Sequence, residues 1–263
     1  MVGAHLAPED PLGEAEAVGA DCVQVFLSDP QGWQKPPPRD DAAELRASPV
    51  PLYVHAPYLI NVCSPRNNVR YGSRKILQQT CDAAAEVGAA AVIVHAGHAE
   101  DEVAEGFGRW VRTLDMLTSE VPLYIENTAG GEKAGGRRFD DLARLWEAIA
   151  GNEAGIELGF CFDTCHAHAA GEELGDAVER VRAICGRIDL LHVNDSRDPP
   201  GTGADRHANL GHGEIGAEPL RAMIAACGGP VVIETPGGAA EMRADIEFVR
   251  AALGASTAKR STR

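Results

Sequence analysis

No run in this 263-residue chain approaches the roughly 18 consecutive apolar residues of a membrane-spanning helix, which excludes a helical membrane protein and a membrane partner. The opening MVGAHLAPEDPLGEAEAVGA lacks a basic segment followed by an apolar one, so no export signal is expected and the expected location is cytoplasmic. Neither a GxSxG elbow nor a Walker A loop occurs, which sets aside two common hydrolase and nucleotide-binding designs. The seven cysteines (22, 63, 81, 161, 165, 185 and 227) are odd in number and offer no second CxxC-like pair. They read as reduced, mostly buried thiols rather than a disulfide framework or a four-cysteine zinc site. Positive charge is also scarce. Against 39 Asp and Glu stand 24 Lys and Arg, a net −15, which taken alone argues against nucleic acid because phosphate contacts need cations.

What is there qualifies that last exclusion. Many acidic residues fall in segments 9–16, 99–105, 140–147 and 172–179, which read as exposed helix faces. Basic residues gather elsewhere: Lys35 and Arg39; Arg66, Arg70, Arg74 and Lys75; Lys133, Arg137 and Arg138; Arg197 and Arg206. Eight short, β-branched apolar runs punctuate the chain, at 2–6, 22–27, 52–56, 91–96, 123–127, 159–164, 190–195 and 231–235. Segments with helical periodicity separate most of them, clearest at 70–88, 100–119, 139–150, 174–185, 217–227 and 240–253. Strands alternating with helices imply a parallel sheet with right-handed crossovers. Eight such units suit a closed (β/α)8 TIM barrel, an α/β single domain over residues 1–254, with an open doubly wound sheet as the alternative. The polar segment 255–263, ASTAKRSTR, reads as a flexible tail. Three polar stretches, 28–40, 57–69 and 196–213, follow strands and therefore belong at the C-terminal mouth, where barrel enzymes keep their chemistry.

Six consecutive runs deliver a metal-ligand side chain at or near that mouth: His55, His95, Glu126, Asp163, His192 and Glu234. In GFCFDTCHAH, residues 159–168, Asp163 is followed by His166, and the long loop after the seventh run adds Asp205 and His207. A lone histidine at a strand end is more often a hydrogen-bonded loop residue; nine candidates, six of them sharing one address, are not explained that way. His5 could be a hydrogen-bonding neighbour of the set, whereas His98, His168 and His212 are expected to point elsewhere. Five imidazoles and four carboxylates exceed what one or two ions need and suit three, with zinc (Zn2+) favoured and manganese (Mn2+) compatible with the carboxylate-rich position. Formally −4 from the carboxylates against +6 from three divalent ions leaves a positive pocket. Phosphodiester hydrolysis follows as the reaction class.

The phrases VHAPYLIN, VHAGH, YIENTAG, CFDTCHAHAAG, LHVNDS, DRHANLGHGEIG and VVIETP resemble, in order and over essentially the whole chain, the motif set of the endonuclease IV family of abasic-site endonucleases. The resemblance implies a (β/α)8 barrel and a trinuclear zinc centre. His55, His95 and Glu126 would hold the first ion; Glu126, Asp163, His192 and Glu234 the second; His166, Asp205 and His207 the third. It implies hydrolysis 5′ to an abasic site in double-stranded DNA, with Glu126 and Glu234 at the reacting centre, and trimming of blocked 3′ ends. A monomer without a nucleotide cofactor is expected. Tyr58 matches a residue that wedges into the bent duplex, with Leu59 assisting. In the second-strand loop, some members place an intercalating arginine where this chain has PQGWQKP, with Gly32 at or near that point. Trp33, Gln31 or Lys35 would substitute there, and Arg206 is a further candidate for the substrate.

Three rival readings remain. Glu126, Asp163, His192 and Glu234 alone resemble the single-metal site of barrel sugar isomerases and epimerases, in which His55, His95, Asp205 and His207 would have no task. GHGEIG at 211–216 fits the dinucleotide pattern GxGxxG but follows the polar ADRHANL rather than a strand. A non-catalytic DNA-damage binder would need a damaged ligand set, and no ligand is missing.

Overall fold

The computed structural model describes residues 1–260, with side chains through Gly254. The eight apolar runs become the staves of a closed parallel barrel: β1 (Val2–His5), β2 (Cys22–Phe26), β3 (Leu52–His55), β4 (Ala91–His95), β5 (Leu123–Glu126), β6 (Leu158–Asp163), β7 (Leu190–His192) and, last, β10 (Val231–Ile233). Each pairs with its sequence neighbours, and β1 closes on β10. Around them lie α1 (Pro11–Val18), α2 (Ala42–Ala47), α3 (Asn67–Glu86), α4 (Val103–Leu114), α5 (Phe139–Ile149), α6 (Thr164–Ala170), α7 (Ala177–Cys185), α8 (Ala217–Cys227) and α9 (Ala239–Arg260). This is a (β/α)8 TIM barrel.

Strand periodicity of two sorts every stave into an outer and an inner set. Val23, Val25, Leu52, Val54, Val92, Val94, Phe160 and Phe162 face the helices and join the large core. Cys22, Tyr53, Ala91, Ile93, Cys161, Leu190 and Val232 form a separate inner cluster, with Tyr124 packed against it. The small cysteines leave room for the two tyrosines. Gly3 and Gly159 permit the same fit, since a Cβ there would lie 2.0 Å from the Cys22 carbonyl and 2.4 Å from the Tyr124 ring. The inner phase continues upward from this plug. Gln24, His55, His95, Glu126, Asp163 and His192 occupy it at the strand ends, and Glu234 follows β10 directly.

Where β6 ends, the sequence leaves a loop or a helix open, and the short α6 begins at once. One pairing was not anticipated: β8 (Asp195–Ser196) pairs antiparallel with β9 (His207–Ala208) across the long loop after β7. The last helix, α9, runs to Arg260, and residues 261–263 of the expected tail lie outside the described residues. Among the described residues, no helix is long and apolar enough to cross a membrane.

Candidate metal centre

All nine candidate ligands come together at the mouth. Glu126, fully buried, is the hub: its Oε2 lies 3.2 Å from His55 Nε2 and 3.3 Å from His95 Nε2. Its Oε1 lies 3.0 Å from His192 Nδ1 and 3.4 Å from His166 Nδ1. Glu234 Oε2 approaches His192 Nδ1 from the other side at 3.4 Å. On the outer flank, Asp205 reaches His166 Nε2 at 3.1 Å and His207 Nε2 at 3.0 Å. Potential ligand atoms thus group as His55, His95 and Glu126; as Glu126, Asp163, His192 and Glu234; and as Asp163, His166 and His207. Asp163 belongs to two groups. It ends β6 and caps α6, accepting the His166 amide at 2.7 Å, so the strand-to-helix turn presents both residues to the cavity.

The orientation of the imidazoles is fixed from behind. His55 Nδ1 bonds the Ala56 carbonyl at 2.7 Å, His166 Nδ1 the Asn127 carbonyl at 2.8 Å, and His207 Nδ1 the Glu234 carbonyl at 3.0 Å. An acceptor carbonyl requires N–H on that nitrogen, so the opposite Nε2 is the one turned to the carboxylates, where a proton or a metal ion can sit. His192 is reversed: its Nε2 bonds Gln24 Oε1 at 2.8 Å, leaving Nδ1 toward Glu126 and Glu234. Four rings therefore aim their second nitrogen inward.

The fit to cations rests on this donor set and on one orphaned atom. His207 Nε2 is sealed from solvent and forms no hydrogen bond, although Asp205 Oδ1 is 3.0 Å away. Two ligands aimed at a common point between them sit this way. Among the described residues, the ion pairs of Glu126, Asp163, Glu234 and Asp205 are all with histidine; no Lys or Arg enters. Burial opposes ionisation of Glu126, yet His192 and His95 hold its carboxyl well below the usual range. Burial likewise disfavours the His192 cation, but Glu234 and Glu126 raise it to about 9. At Asp163 burial prevails and the carboxyl is pushed up. The cysteines are poor ligands here: burial, then Glu126, pushes the Cys161 thiol well above its ordinary value, and burial with Asp163 does the same to Cys165.

Several residues that sequence reasoning missed hold this set together. Gln24 donates to Glu234 Oε1 at 2.6 Å while serving His192, and lies 2.9 Å from His5 Nδ1, which places His5 beside the centre. Asn194 donates to Asp163 Oδ2 at 2.7 Å and accepts from the Glu234 amide. Asn127 exchanges hydrogen bonds with the Asp163 backbone in both directions. A buried polar residue inside the apolar CVQVF was the one visible signal.

A groove of about 420 Å³ opens above the centre, lined by His95, His166 and Asp205 below and by Tyr58, Leu59, Trp33 and Arg66 at its rim. Tyr58 is half exposed, with its ring 5.5 Å from His55 and 5.8 Å from His95. Trp33 is 46% exposed and rests on Gly72 of α3, where a Cβ would meet its ring at 3.1 Å. Arg206 is held by both carboxylate oxygens of Asp198. Lys35 lies in a different cavity, with Pro30 and Arg39. Of the other histidines, His98 is tied to Asn61 at the groove wall and His168 Nε2 to the Asp198 carbonyl.

The profile of the xylose isomerase-like TIM barrel family matches residues 12–252. The "Probable endonuclease 4" of Mycobacterium bovis is 57% identical over 256 residues, covering 97% of this chain and 99% of that protein. The chain belongs to the endonuclease IV family. The crystal structure of endonuclease IV from Thermus thermophilus aligns with a TM-score of 0.81 at 29% identity, covering 96% of this chain and 98% of that one. A D-tagatose 3-epimerase-like protein aligns at 0.79 but at 19% identity over 98% of each chain, a likeness of fold alone. In this chain, the GHGEIG match to a dinucleotide loop is accounted for by Asp195. Its buried carboxylate gathers the amides of Gly211, Gly213, Ile215 and Gly216 at 2.9–3.4 Å.

Proposed function

We propose that this chain is a metal-dependent deoxyribonuclease of DNA repair. It would hydrolyse the phosphodiester 5′ to an abasic site in double-stranded DNA and trim blocked 3′ ends. Support comes above all from one observation: five imidazoles and four carboxylates meet in adjoining groups, with four rings locked so that their second nitrogen faces inward. We assign three zinc ions to them. His55, His95 and Glu126 would hold one; Glu126, Asp163, His192 and Glu234 the second; His166, Asp205 and His207 the third, with manganese acceptable at the carboxylate-rich second position. Such ions, when bound, polarise phosphate oxygens and make water a nucleophile near neutral pH.

In the balanced reaction a water oxygen bonds to phosphorus, the P–O3′ bond breaks, and a proton ends on O3′. The products are a 3′-hydroxyl and a 5′-deoxyribose phosphate. Glu126 and Glu234 frame the reacting position. Tyr58, Leu59 and Trp33 at the groove rim would fill the space left by the missing base, each presenting an apolar face at the mouth. Arg206 would meet the strand only while retaining its pair with Asp198. A single-metal epimerase is the alternative reading, and it leaves His55, His95, Asp205 and His207 without a task.

The test is cleavage of an end-labelled duplex carrying one tetrahydrofuran abasic analogue, which cannot undergo β-elimination, beside an undamaged duplex. One incision 5′ to the analogue with a 3′-hydroxyl end is expected. Turnover of ketose sugars by zinc-loaded protein that leaves the lesion uncut would overturn the proposal.

A further inference from the structure

The chain carries 24 basic residues against 39 acidic ones, so a place where cations stand without counter-ions is informative. Arg70, Arg74 and Lys75 on α3, together with Arg112 on α4, form no ion pair among the described residues. Arg74 donates to Thr113 Oγ1 at 3.0 Å, and its own cation is disfavoured by burial and then by Arg70 and Arg112, so these three stand together, with Lys75 next along α3. Tyr71, 57% exposed, lies under the guanidiniums of Arg70 and Arg74 at 5.3 and 6.0 Å from its ring centroid. The Thr113 bond fixes Arg74, while Arg70 donates to the Ser64 and Pro65 carbonyls at 2.8 and 3.0 Å and to Asn67 Oδ1, so both half-buried guanidiniums are ordered before a ligand arrives. Mutually repelling, unneutralised cations are unfavourable in the free protein and favourable against a polyanion.

Lys75 connects this patch to the groove over the metal centre. Trp33 and Val69 line that groove and also a second hollow along α3, which ends at Gly72 and Lys75. Arg66, neutralised by Glu100, stands between the two. We infer that the first turns of α3, with Arg112 of α4, form a track for the phosphate backbone of one duplex arm, outside the position of the lesion. This deepens the nuclease reading and rests on it for the identity of the polyanion. The charge balance favours it over an acidic protein segment because the track leads into the site where a phosphodiester would be cut.

Lys75 and Arg112 are exposed and form none of the hydrogen bonds that brace α3, so the test is the double variant Lys75→Ala, Arg112→Ala. Fluorescence anisotropy with an undamaged duplex, which needs no cleavage, gives the salt dependence of binding. Loss of two phosphate contacts lowers the magnitude of the log–log salt slope by about 1.8 and weakens binding at 0.1 M salt by about tenfold or more. Cleavage of a short lesion duplex lacking the arm is unchanged. Identical salt slopes for variant and wild type overturn the track and leave an acidic protein segment as the partner. Failure of the wild type to cut the lesion duplex counts against the nuclease reading alone, since the anisotropy still reports on the track.

Discussion

Gln24 shows how one uncharged side chain organises a site of opposing charges. Its amide oxygen accepts from His192 while its nitrogen donates to Glu234, so a single rotamer satisfies an imidazole and a carboxylate on two other staves. A side chain without that pair of functions releases the His192 ring to either tautomer and leaves Glu234 without its shortest donor. Gln24→Leu, close in volume and apolar, is expected to keep the barrel intact. It should weaken zinc binding about 10- to 100-fold, the usual cost of losing such a supporting partner. Competition against a chromophoric chelator measures this directly; an unchanged affinity would mean that His192 is positioned by Glu126 alone.

At the scale of elements, the decisive unit is the turn of 195–216. Asp195 is buried and accepts from five backbone amides, Ser196 included, with no cation beside it. Gly213 has to be glycine here, because a Cβ would lie 2.3 Å from the Ser196 carbonyl and 2.6 Å from Asp195 Oδ1. Since Asp195 pairs with Ala208 and Ser196 with His207, the same carboxylate sets the position of the outermost ligands. Asp195→Ala strands buried donors and should cost on the order of 3 kcal/mol or more, read as a lowered urea midpoint at unchanged m. The same variant should lose one metal equivalent relative to the wild type. This unit also marks where the sequence stops being legible. His55, His95, Glu126, Asp163 and His192 could be located because each closes an apolar run with period two, a signal local to a few residues. The β8–β9 hairpin could not, since two-residue strands have no periodicity and this pair exists through long-range bonds such as those to Asp195. Gln24 was absorbed into an apolar run, because its burial is tolerable only with partners contributed by β7 and the residue after β10.

For the molecule as a whole, the acidic surface and the mouth pose opposite electrostatic problems, and protons solve the second when metal is removed. Burial disfavours the cationic forms of His192 and His207, yet the surrounding carboxylates raise both to about 9, Glu234 foremost for His192 and Asp205 for His207. Their ordinary value is 6.5, so the folded, metal-free state binds protons that the unfolded chain has released. Stability from these pairs is fully present below about 6.5 and is lost as pH rises through about 9. Thermal unfolding of chelator-treated protein should therefore show a falling midpoint across that window, while zinc-loaded protein should hold steady, because bound cations replace the protons. The same competition acts on loading: a divalent ion needs the free nitrogen, so zinc uptake at pH 7.5 must expel protons, and affinity must fall as the solution is acidified. Calorimetric titration in two buffers of different ionisation enthalpy measures the release. Proton release at pH 7.5 that shrinks toward pH 9 is the expected result; none at either pH would mean that these imidazoles are already neutral and that the carboxylates are balanced by some other means.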